Sequence, residues 1–151
     1  MIVRAAGWLL RGYALHRRRA LEDVSRHAAA VQETTLLRLV ARARDTVFGR
    51  AHEFNRIRSV ADYQRQVPVR EYLDFRPLWQ RALAGVQGVT WPGQTRHWVN
   101  TSGTTAGEKV IPVTAEALAS HRKGGWDALI FAADRVGPEH LLGGPMLFLG
   151  G

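Results

Sequence analysis

Nine residues restrict the architecture of this chain more than any other stretch: Thr101-Ser102-Gly103-Thr104-Thr105-Ala106-Gly107-Glu108-Lys109, small, hydroxylated or glycine up to the closing acid and base. On either side, His97-Trp98-Val99-Asn100 and Val110-Ile111-Pro112-Val113 have the aromatic and β-branched character of short strands, so the whole reads as strand, loop, strand. Glycine lets several backbone N–H groups turn toward one anion at low steric cost, Ser and Thr hydroxyls donate further bonds, and lysine supplies charge. Gly103 and Gly107 meet the first need and Lys109 the last, which makes this a phosphate-binding composition. It is not a Walker A loop. Three residues rather than four separate the two glycines, Glu108 precedes Lys109, and Val110 stands where a magnesium ion would need a hydroxyl. A flexible hairpin loop would account for the Gly and Thr, but gives no reason for a Ser-Gly-Thr-Thr cluster before a lysine.

Helical patterns surround this unit. Leu21, Val24, Ala28 and Val31, then Leu36, Leu37, Leu39, Val40 and Ala43, recur at three- and four-residue intervals, predicting one or two helices over 21–45. Gly49 in Thr46-Val47-Phe48-Gly49-Arg50 is expected to take the left-handed conformation that stops a helix. Ser59 suits the N-cap of a short helix, Val67-Pro68-Val69 must be extended, and Tyr72, Phe75, Leu78, Trp79, Ala82 and Leu83 stripe a helix over 71–84. Thr114 caps a long helix with Leu118, Trp126, Leu129, Ile130 and Ala133 inward, ended by Gly137-Pro138, and Met146-Leu147-Phe148-Leu149 reads as a buried strand. Helices interleaved with short strands point to an α/β layered protein.

Composition excludes several classes. The chain has 151 residues, 46% of them hydrophobic and 23% charged, which suits one folded domain rather than a disordered segment. No apolar run reaches the roughly 18 residues of a membrane span. Cysteine is absent, so there is no thiol nucleophile, disulfide or Cys-ligated metal, and the cytoplasm is the expected compartment. The net charge of +8 sits mostly in residues 1–60, which carry +7; no nucleic-acid signature accompanies it, and nucleic acid is not an expected partner. Residues 1–20 form a basic amphipathic helix, with Arg4, Arg11, Arg17, Arg18 and Arg19 against Ile2, Val3, Trp8, Leu9, Leu10, Tyr13 and Leu15. It packs on the body, or makes weak interfacial contact with a membrane. The six histidines never take the four-residue spacing of a helical zinc site, and no metal-ligating residue is assigned. Ser102 lies in Thr-Ser-Gly rather than the Gly-x-Ser-x-Gly of a nucleophile elbow, and no catalytic residue is assigned.

The loop from Thr101 to Lys109, followed by Val110-Ile111-Pro112-Val113-Thr114, resembles the nucleotide-binding loop of the auxin-responsive promoter (Gretchen Hagen) family of acyl acid-amido synthetases, in the adenylate-forming superfamily. The series Thr46, Phe48-Gly49-Arg50, His52, Phe54, Asp62-Tyr63, Val67-Pro68-Val69, Tyr72, Pro77 and Arg81 is similar to that family in order and spacing. The resemblance covers roughly residues 37–114. It implies activation of a carboxylic acid by ATP and Mg²⁺ to an acyl-adenylate, then attack by an amino acid or other amine. It further implies that Thr101, Ser102, Gly103, Thr104, Thr105, Gly107 and Lys109 hold the ATP phosphates. Arg50 and His52 are candidates for substrate contact, or for a loop salt bridge and a capping hydrogen bond. Family members are several times longer. The expectation is therefore an N-terminal fragment, residues 1–151 forming part of the large domain without its remainder or the C-terminal lobe, and inactive alone. Two other expectations stay open: a non-catalytic nucleotide- or partner-binding remnant, and an acyl-CoA ligase type of adenylating enzyme.

Overall fold

A computed structural model of the chain describes residues 2–101, 109–137 and 140–141. In order these form α1 (Ile2–Arg26), α2 (Ala28–Ala43), α3 (Val47–Ala51), a 3-10 turn (Phe54–Arg56), α4 (Val60–Gln66), α5 (Tyr72–Leu83), β1 (His97–Thr101), β2 (Lys109–Val113) and α6 (Ala115–Val136). The fold class is α/β, helices first and a pair of antiparallel strands after them. The strand expected over Met146-Leu147-Phe148-Leu149 lies outside the described residues. Backbone contacts divide the chain into two units, residues 28–118 and residues 1–27 with 119–151.

In the unit of residues 28–118 the core gathers where α2 ends. Val40, Ala43, Phe54 and Ile57 are buried, with Leu36, Leu37, Phe48, Tyr63, Val67 and Trp91 packed around them. Rings carry the packing outward: Phe48 meets Phe54 edge-on at 5.8 Å and Phe75 at 5.8 Å, and Phe75 stacks on Trp79 at 5.3 Å. Aromatic pairs at such separations add attraction beyond their buried area.

The corner after α2 corrects a sequence expectation. Gly49 does not end a helix in the left-handed region; it is the middle residue of α3, which Thr46 opens as N-cap. The buried Thr46 hydroxyl accepts from the Gly49 N–H at 2.9 Å and donates to the Ala43 carbonyl at 2.7 Å. Glycine is required there for closeness, since a Cβ at residue 49 would lie 2.1 Å from the Ala43 carbonyl oxygen. The remaining N–H groups of this first turn are also satisfied. Val47 donates to Gly88 at 2.8 Å, Phe48 to Val89 at 2.9 Å, and Arg50 to the Thr46 carbonyl at 2.9 Å. The glycine-rich stretch after α5 is thus built into the core, with Val89 only 3% exposed and Gly88 turning at φ +63°.

Ser59 caps α4 by accepting from the Asp62 N–H at 3.1 Å, and the Asp74 carboxylate accepts from the Glu71 N–H at 2.9 Å at the head of α5. Pro77 lies inside α5 and offers no N–H to the preceding turn. Gly85, at φ +87°, follows the end of α5 in the left-handed region.

In the unit of residues 1–27 with 119–151, α1 extends past the expected boundary at residue 20 to Arg26, and His27 separates it from α2. Two ion pairs join it to α6. The Arg17 guanidinium forks onto Asp127 at 2.8 and 2.6 Å, and Arg18 reaches Asp134 at 3.3 Å. The buried residues are small, Ala14 and Ala133. Tyr13 and Leu15, expected on an apolar side, are 43% and 51% exposed, and Trp126, expected inside, is 61% exposed. The described links between α1 and α6 are the ion pairs, which leave these bulky side chains exposed. Trp8 and Leu9 lie outside the residues whose side chains are described.

Candidate functional site

The hairpin register sets the geometry of the candidate loop. His97 pairs with Val113, Trp98 with Pro112, Val99 with Ile111, Asn100 with Val110 and Thr101 with Lys109. Thr101 and Lys109 therefore face each other at the mouth of the hairpin, about 5 Å apart as antiparallel partners. Of the other expected phosphate contacts, Ser102, Gly103, Thr104, Thr105 and Gly107 lie outside the described residues.

Helix α5 reaches this mouth through its first residue. The Tyr72 hydroxyl accepts from the Val110 N–H at 2.9 Å and donates to the Val110 carbonyl at 3.3 Å. The Lys109 ammonium stands 5.7 Å from the centre of the Tyr72 ring, within cation–π range. Since both backbone groups of Val110 turn to Tyr72, the Asn100–Val110 pair is of the wide, non-hydrogen-bonded kind. By the two-residue period, Trp98–Pro112 is as well. That accounts for a proline in β2: its missing N–H falls on the outer edge. Tyr72 was visible in the sequence as part of an apolar helical stripe. The signal pointing to its polar role was that the stripe opens with a hydroxyl-bearing ring rather than Phe or Leu.

The same register separates this mouth from a second feature. A cleft of about 380 Å³ lies beside His97 and Val113, lined among others by Trp91, Arg96, Thr114 and Glu116, at the opposite end of the five-residue strands. Strand rise puts that end roughly 13 Å from Thr101 and Lys109. Glu116, in the first turn of α6, accepts from the Trp91 indole at 3.3 Å and from Arg42 at 3.4 Å. Its carboxyl is held below the ordinary range chiefly by its own backbone N–H, with Trp91, Arg42 and Thr114 adding and partial desolvation opposing. The Thr114 hydroxyl caps α6 by accepting from the Ala117 N–H at 3.0 Å.

Arg50 and His52 have structural partners. Arg50 donates to the Asp45 carbonyl. The His52 Nδ1 lies 2.9 Å from the Gln66 carbonyl, with the ring 4.4 Å from that of Phe48. Among the described residues no group of three or more His, Asp or Glu side chains is gathered to hold a metal, and no helix is long and apolar enough to cross a membrane.

Comparison with known proteins shows the family. Residues 17–150 match the family model described as the GH3 family N-terminal domain. Over 102 residues, 66% of this chain, the sequence is 30% identical to "Probable indole-3-acetic acid-amido synthetase GH3.1" of Arabidopsis thaliana. The chain belongs to the GH3 family of acyl acid-amido synthetases, the family its loop and upstream series resemble. It spans 17% of the length of that relative.

Proposed function

We propose that the segment from Thr101 to Lys109 is the phosphate grip of an ATP-dependent acid-amido synthetase. In this reading a carboxylate oxygen attacks the α-phosphorus of ATP and expels pyrophosphate. The nitrogen of an amino acid or other amine then attacks the acyl carbon and expels AMP, leaving an amide. Thr101, Ser102, Gly103, Thr104 and Thr105 hold the phosphates through hydroxyl and backbone N–H groups, Gly107 supplies the turn, and Lys109 supplies charge. Negative charge builds on the departing pyrophosphate, so donors already fixed in place lower the barrier by electrostatic stabilisation and positioning. The reaction belongs in the cytoplasm, where ATP is supplied.

The observation that carries the reading is the register, which pairs Thr101 with Lys109 across the two strands, at the two ends of the small-residue segment. Family membership supports the reaction class, and the name of the plant relative, an acid-amido synthetase, supports a carboxylic acid as the group converted to an amide. Family membership implies Mg²⁺ beside ATP, an ion that usually takes most of its ligands from phosphates and water and only one or two from carboxylates.

The test is acid-dependent exchange of labelled pyrophosphate into ATP by the natural protein. Lys109→Ala and Ser102→Ala should each slow exchange by about tenfold or more, on the scale of a lost charge-assisted contact to phosphate. Equal exchange in the parent and both variants removes the loop from the mechanism. Absence of exchange with every acid tried, alongside ATP binding that weakens in Lys109→Ala, would keep the grip and overturn the reaction.

A further inference from the structure

A lysine carries its charge on four rotatable bonds, so its value to an anion depends on how much of that freedom is removed beforehand. Among the described residues, an aromatic face lies beside the Lys109 ammonium at the hairpin mouth. The Lys109 Nζ lies 5.7 Å from the centre of the Tyr72 ring. The next residue, Val110, is held by the hydroxyl of that same tyrosine, at 2.9 Å through its N–H and 3.3 Å through its carbonyl. One side chain thus fixes both the ammonium and the backbone that carries it.

The choice of neighbour matters chemically. A carboxylate at this position would neutralise the ammonium and occupy its N–H donors. An aromatic face attracts the charge through its quadrupole while leaving all three donors free for a stronger acceptor. The tyrosine cannot itself compete for that acceptor, because its single hydroxyl proton is committed to the Val110 carbonyl. It also satisfies the two edge groups of Val110, so the strand leaves the loop with its backbone already paired.

We propose that Tyr72 is the positioning residue of the phosphate grip: its ring restrains the Lys109 ammonium at the hairpin mouth, and its hydroxyl fixes the backbone from which that side chain departs. The proposal rests on the reading of the 101–109 segment as the nucleotide site. It assigns the ring and the hydroxyl separate tasks, which two substitutions separate. Tyr72→Phe keeps the ring and removes the clamp. Tyr72→Leu removes both.

The experiment is a cycle on the natural protein, titrating ATP against the parent, Lys109→Ala, Tyr72→Leu and the double variant, with the Lys109 ε-methylene and Val110 amide followed by NMR. Tyr72→Leu should weaken ATP binding by about fivefold in the parent, and scarcely at all once Lys109 is alanine. The ring-current shift of the Lys109 ε-protons should persist in Tyr72→Phe and vanish in Tyr72→Leu, while amide exchange at Val110 should accelerate in both. If Tyr72→Leu weakens binding equally in the two backgrounds, its role is merely structural and the proposal falls. It falls equally if the parent shows no ring-current shift at Lys109. If Lys109→Ala leaves ATP affinity unchanged while the NMR signatures follow expectation, the phosphate reading has failed and the restraint by Tyr72 stands. Should Tyr72→Leu not fold, the Tyr72→Phe pair of signatures, shift kept and protection lost, decides the case.

Discussion

The corner from Thr46 to Gly49 and the helices α1 and α6 are held by opposite means. At the corner, one buried hydroxyl bridges a carbonyl and an N–H, and a glycine sits where no side chain fits. Every donor of the short helix that follows has a partner. Between α1 and α6 the described attachment is charge on charge, Arg17 to Asp127 and Arg18 to Asp134, with alanines as the buried residues and several large apolar side chains left outside. The lesson is that the first junction tolerates no change of shape and little cares about solution conditions, whereas the second tolerates changes of shape and depends on protonation.

The comparison breaks most visibly at Gly49. Gly49→Ala puts a methyl group 2.1 Å from the Ala43 carbonyl oxygen and 2.9 Å from that of Arg44, both backbone. Backbone atoms cannot swing aside as a side chain would, so we expect a loss of roughly 3 kcal/mol or more in urea unfolding. A variant as stable as the parent would show that the corner is not close-packed. Thr46→Val, which keeps the shape and removes the hydroxyl, should cost about 1–2 kcal/mol in the same measurement. A loss confined to a few tenths would mean that water replaces the hydroxyl and that the corner is open.

The smallest effect sharpens the other side. The hydrogen-bonded Arg17 guanidinium holds the Asp127 carboxyl below its ordinary value, and Asp127 in turn raises Arg17. The folded chain therefore binds the Asp127 proton less readily than the unfolded chain does. The resulting stabilisation is complete above the unfolded value near pH 4, and is lost as pH falls through the lower folded one. Asp127→Asn should remove that part of the acid dependence and lower the thermal midpoint slightly at neutral pH. The near-UV signal of the Phe48, Phe54, Phe75 and Trp79 cluster should change far less on acidification than the helical signal of α1 and α6. Parallel loss of both signals would erase the distinction.

How much of this was legible in the sequence follows the same division. Local chemistry could be read directly: Ser59 and Thr114 as caps, Gly137 as a helix end, and the strands on either side of the candidate loop. Each depends only on near neighbours in the chain. What could not be read depends on distant partners. Gly49 departs from expectation because its constraint comes from a carbonyl of the preceding helix lying where a Cβ would go, which no periodicity reveals. The stretch after α5 carries no hydrophobic periodicity to mark it as core, although its carbonyls complete the first turn of α3 some forty residues earlier. Trp126 was expected inside by spacing alone, and the described residues leave it uncovered. Of the candidate site, residue types were legible and placement was not. The facing of Thr101 and Lys109 follows from register, and the Tyr72 clamp on Val110 from a contact across 38 residues.

The hairpin has two unlike flanks. On β2 the outward groups of Val110 are consumed by a phenol and residue 112 has no hydrogen to offer. On β1 the outward amides and carbonyls are those of Trp98 and Asn100, and no proline interrupts them. A widening sheet would therefore be directional, recruiting its third strand alongside Trp98 and Asn100 while the opposite flank stays closed to it.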